Sequence, residues 1–117
     1  MAAKDRLGRH GEQLAVTFLT AKGMCVLDRN WRCAEGEIDI VARDGGALVI
    51  VEVKTRSGRS HGTAFEAVNG AKLLRLRTLA GRWLATRTER FDTIRVDVIA
   101  IERFAGDFSL RHERGVV

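Results

Sequence analysis

The stretch from Gly36 to Arg56, GEIDIVARDGGALVIVEVKTR, limits the possible folds more than any other part of the chain. Ile38, Ile40 and Ala42 alternate with Glu37, Asp39 and Val41, and Val49, Val51 and Val53 alternate with Leu48, Ile50, Glu52 and Lys54. Side chains that alternate along a strand project to opposite faces, so both runs read as β-strands with one apolar face. Gly45-Gly46 lies between them, and two glycines suit the positive φ of a two-residue hairpin turn. That turn fixes the pairing: Ala42 faces Val49, Ile40 faces Val51, and Ile38 faces Val53. A slip of one residue would scramble this face, so the apolar pattern supports the register on its own.

The same register sets Asp39 opposite Glu52 and Glu37 opposite Lys54. Like charges directly across a ladder are unfavourable. A shared cation would explain two facing carboxylates, and Mg2+ or Mn2+ suits hard oxygen ligands of this kind. Lys54, two residues beyond Glu52, leans from the same face and is placed to orient a water or offset charge on a phosphate. Asp39, Glu52 and Lys54 are therefore the candidate catalytic set for phosphodiester hydrolysis, with Asp39 and Glu52 as metal ligands. The plainer reading is solvated strand charge, with Lys54 simply paired to Glu37.

Around this hairpin the chain reads as an α/β fold of one domain over residues 1–117. Leu7, Gly11, Leu14, Ala15, Phe18 and Leu19 recur at helical spacing, giving a helix near Lys4 to Lys22 that Gly23 stops. A short strand follows at Met24–Leu27. A helix or helix pair spans roughly Ala64 to Arg87, with Leu73, Leu76, Ala80, Trp83 and Leu84 as its apolar stripe. Thr93–Glu102 forms a further strand, and Phe108–His112 closes a hairpin through Gly106-Asp107. The strand–helix–strand order predicts a right-handed parallel crossover in a mixed sheet. Trp31 and Trp83 read as packing residues.

The net charge is +5, and the sequence pI is about 10.0. From Lys54 to Arg90 nine basic residues face only Glu66 and Glu89, so this segment carries more than the whole excess. Such a concentration points to a polyanionic partner, with Arg56, Arg59, Lys72 and Arg75 as candidate phosphate contacts; a solvated helix face is the alternative. No apolar run approaches the ~20 residues of a membrane span, and the polar N-terminus lacks an apolar leader core, so the expected location is cytoplasmic. Cys25 and Cys33 are read as reduced thiols, since two cysteines without ligand-spaced histidines do not make a structural zinc site. No Walker-type glycine loop is present.

GEIDIVARD, the gap of about eight residues, VEVKTR and the later RFDTIRVDVIAI resemble the bacterial YraN-like family of predicted endonucleases. GRHGEQLAVTFLTAKG, before the hairpin, extends the resemblance over nearly the whole chain. It implies a restriction-endonuclease-like mixed β-sheet flanked by helices, similar to archaeal Holliday-junction resolvases. It also implies that Asp39, Glu52 and Lys54 are the metal-and-lysine motif, and that Glu12 on the first helix is a further catalytic acid and metal ligand. DNA, branched or otherwise structured, is the implied substrate, and a homodimer follows by analogy with resolvases that cut two strands. The alternative function is a non-catalytic nucleic-acid-binding or partner-recruiting module on the same fold. Family relatives often carry proline near the start of the long helix; here HGTAFEAVNGAK has none, which leaves that helix start less defined.

Overall fold

The computed structural model describes residues 3–57, 70–104 and 106–116. Seven elements follow in order: α1 (Ala3–Ala21), β1 (Cys25–Cys33), β2 (Gly36–Asp44), β3 (Ala47–Ser57), α2 (Gly70–Leu84), β4 (Thr93–Phe104) and β5 (Asp107–Glu113). The five strands form one sheet in the order β1-β2-β3-β4-β5. All neighbours are antiparallel except β3 and β4, which run parallel with α2 between them in sequence. This is the expected α/β class, a mixed sheet flanked by helices and consistent with a restriction-endonuclease-like fold. β1 is longer than Met24–Leu27, extending to Cys33 because it pairs along most of β2. Of the helical span expected from Ala64 to Arg87, residues 64–69 lie outside the described residues, and α2 ends at Leu84.

Each face of the sheet has its own core. Ala15 and Leu19 of α1 pack with Ile40, Ala42, Val49, Val51, Ile99 and Ile101 on one side. Leu76, Leu79, Ala80 and Trp83 of α2 cover Val41, Leu48, Ile50 and Val96 on the other. Burial on both faces explains why β3 and β4 read as nearly continuous apolar runs. Trp83 is fully buried and Trp31 packs against the same cluster, as expected of packing residues.

The β2–β3 hairpin has the predicted register, from Asp44↔Ala47 through Ile40↔Val51, with Gly45 at φ 59° in the turn. The ladder stops there. Ile38 does not face Val53; it joins the α2-side core with Val41, breaking strict alternation. Glu37 likewise pairs with Arg32 across β1, at 3.6 Å, and not with Lys54. The cause is local. β1 pairs with β2 on either side of Asn30 and Asp39 but not at them, and Asn30 adopts φ 51°, the left-handed region that asparagine enters more readily than other residues with side chains. The two strands part where Asp39 and Glu52 begin.

Candidate active site

The parted strand ends and α2 enclose a cavity of about 320 Å³, lined among others by Asp39, Glu52, Lys54, Lys72 and Arg75. Asp39 and Glu52 fall on the same side of the sheet, as the alternation demanded. Asp39 accepts a hydrogen bond from the Val53 backbone N–H at 2.9 Å, taking the donor left over where the ladder ends. Glu52 is 3% exposed and sits beneath α2. Burial, then the charge of Glu52, pushes the Asp39 carboxyl up to about 8, despite the opposing bond from Val53. A side-chain hydrogen bond to Glu52 and the more distant charge of Glu12 act in the same direction.

Two ammonium groups balance these acids. Lys54 Nζ lies 3.8 Å from Glu52 Oε2, and Lys72 Nζ, arriving from the first turn of α2, contacts the same oxygen directly. Burial and the adjacent Lys72 charge hold Lys54 below its ordinary range. Burial acts on Lys72 in the same way, but the hydrogen bond and charge of Glu52 outweigh it and hold Lys72 above its ordinary range. Lys72, a candidate phosphate contact from the sequence, also reaches inward to Glu52 and so belongs to the site itself. Arg75 is exposed at the cavity wall, and Arg56 on β3 is half-buried. Arg59 lies outside the described residues.

Glu12 is brought near by close packing of α1. A Cβ at Gly11 would collide with Thr55 Oγ1 on β3, so glycine lets the helix approach the strand that carries Glu52 and Lys54. Glu12 Oε1 accepts a hydrogen bond from Asn30 Nδ2 at 2.7 Å and lies 3.6 Å from Arg29 NH2. Among the described residues no three His, Cys, Asp or Glu side chains gather into a metal cage; Glu12 bonds Asn30 and Arg29, and its charge still reaches Asp39. Two carboxylates completed by waters and substrate oxygens are nonetheless the ordinary protein share of a Mg2+ site. The donor set fits: a buried and a half-buried carboxylate whose mutual repulsion a divalent cation would relieve.

The chain belongs to the uncharacterised protein family UPF0102, whose profile matches residues 11–101. Similar relatives include a UPF0102 protein of Arthrobacter sp. strain FB24, 54% identical over 99% of both chains. Another from Frankia alni is 52% identical over 98% of this chain and 97% of its own. A third, from Pseudarthrobacter chlorophenolicus, is 53% identical over 99% of this chain and 89% of its own. The matched region includes Glu12, Asp39, Glu52, Lys54 and Lys72. Among the described residues, no helix is long and apolar enough to cross a membrane.

Proposed function

We propose that this protein is a Mg2+- or Mn2+-dependent endonuclease that hydrolyses DNA phosphodiesters, in keeping with its resemblance to YraN-like predicted endonucleases. The observation that carries the reading is the pair Asp39, half-buried, and Glu52, buried, close enough to interact in one cavity with two lysines on Glu52. Two neighbouring carboxylates drawn out of water cost stability, and a hydrolytic metal site gives that cost a purpose. Asp39 and Glu52 would hold the ion. When bound, such an ion polarises the scissile phosphate and acidifies a water. Val53 N–H fixes the orientation of Asp39 through its hydrogen bond. Lys54, with its ammonium proton loosened by burial and by Lys72, orients the attacking water and offsets charge on the phosphate. Arg75, on the cavity wall, and Arg56, farther along β3, would serve as phosphate contacts. Branched or structured DNA is the proposed substrate class, with two copies supplying cuts on two strands.

The test is a cleavage screen over linear, single-stranded, flapped and four-way-junction DNA, with Mg2+, Mn2+ or chelator. Cleavage of one class that needs the metal and is lost in Asp39→Asn and Glu52→Gln supports the reading. Binding of DNA with no metal-dependent cleavage of any class would leave the non-catalytic module as the function.

A further inference from the structure

The two lysines at Glu52 are not equivalent. Lys54 shares β3 with Glu52 and stays 3.8 Å from Oε2, while Lys72 crosses from a separate element to make direct contact with that oxygen. The Lys72 side chain is 36% exposed and the Glu52 side chain 5%. One ammonium thus joins a carboxylate hidden beneath α2 to the open mouth of the cavity. A divalent ion held by Asp39 and Glu52 needs an oxygen of Glu52, and two cations in contact with a single carboxylate oxygen repel strongly in a partly desolvated site. Lysine is suited to changing partners, because its charge is a compact point on a flexible four-carbon stem.

Resting on the metal-site reading above, we propose that Lys72 is a built-in competitor of the divalent ion for Glu52 and serves as a phosphate clamp once the ion has displaced it. The ammonium keeps the buried carboxylate paired, yields it to the ion, and swings outward to a DNA phosphate at the cavity mouth. Metal uptake and DNA binding are then linked through one side chain. Lys72 is a binding residue whose partner depends on whether the ion is bound.

The experiment titrates Mn2+ into the full-length protein and follows free Mn2+ by electron paramagnetic resonance, so no turnover is needed. Lys72→Met and Lys72→Gln should bind Mn2+ about three- to tenfold more tightly than wild type, the scale of a half-exposed ion pair. Arg75→Gln removes one charge from the same cavity wall and should change Mn2+ affinity less than about twofold. Salt titrations of duplex DNA binding add a second readout, with Ca2+ as the divalent ion to limit cleavage. With Ca2+ present, Lys72→Met should lower the slope of log affinity against log salt by about 0.9, the value of one phosphate contact. With chelator it should leave the slope unchanged. Mn2+ affinity within about twofold of wild type in both Lys72 variants would overturn the proposal, as would an equal gain in Arg75→Gln. If wild type takes up Mn2+ and Glu52→Gln does not, those outcomes sink the competition alone; no Mn2+ uptake by wild type sinks the metal-site reading and the competition with it.

Discussion

The sheet buries acids on both of its faces, and they are treated in opposite ways. On the α1 side Asp97 of β4 is fully buried, yet each oxygen has donors. Oδ1 accepts from Arg95 Nε at 2.9 Å and from Gly115 N–H at 3.0 Å; Oδ2 lies 3.2 Å from Arg95 NH2 and 2.8 Å from His112 Nε2. Arg95 also bridges to Asp44, which Arg114 grips as well, so the network ties the last residues to β2 and β4. On the α2 side Asp39 receives one backbone N–H and otherwise faces Glu52. Burial alone does not mark a functional acid. Asp97 is saturated with donors and reads as architecture, whereas Asp39 and Glu52 are set against each other, which is what the proposed cation site rests on.

Substitutions should separate the two regions. The largest effect is expected at the site: Asp39→Asn and Glu52→Gln should each reduce metal-dependent cleavage by about 100-fold or more, with DNA affinity retained, in single-turnover assays. Next, Asp97→Asn should destabilise the fold by about 3 kcal/mol in urea unfolding, because it leaves buried donors without their carboxylate. The folded fraction should still take up Mn2+ as wild type does. Equal loss of Mn2+ uptake in Asp97→Asn would erase the distinction between the two faces.

A smaller effect of opposite sign is expected for the stability of Asp39→Asn in chelator. The folded-state carboxyl titrates near 8, well above the ~3.9 of an unfolded aspartate, so the folded form holds its proton more tightly. Its stabilising contribution is complete below the unfolded value, declines as pH rises, and is gone above about 8. Asp39→Asn should therefore be more stable than wild type at pH 8–9 by about 1–2 kcal/mol, and the gap should close toward pH 4. Thermal melts across this range check it. Smallest of all, Gly11→Ala should weaken the packing of α1 on β3 by about 1 kcal/mol, since its Cβ meets Thr55.

Much of the site was legible in the sequence because period-two alternation and a glycine turn leave little freedom. Asp39 and Glu52 lie on one side of the sheet for that reason. The break at Ile38 was not legible, since it arises where Asn30 and Asp39 drop out of the β1–β2 ladder, a tertiary event without a local signal. Lys72 was seen as a charge but not as an inward one, because helical spacing does not say which turn of α2 lies over Glu52. The Asp97 network left a fainter trace. In the run Val96-Asp97-Val98-Ile99, buried on both faces, a lone charge requires a partner, and Arg95 and His112 supply it. Helical spacing put Glu12 on the first helix and the resemblance gave it a role, but its bond to Asn30, a residue at positive φ, had no signal in the sequence.

The central claim is that Asp39 and Glu52 form a cation site, and the pH dependence of Mn2+ affinity tests it most directly. With Asp39 protonated up to about pH 8, binding must release its proton. Mn2+ affinity measured from pH 6 to 9 should thus rise about tenfold per unit and level off near pH 8. In Asp39→Asn the rise should vanish and the remaining affinity should be weak at every pH. Mn2+ binding that does not vary with pH, or that survives unchanged in Asp39→Asn and Glu52→Gln, would contradict the account.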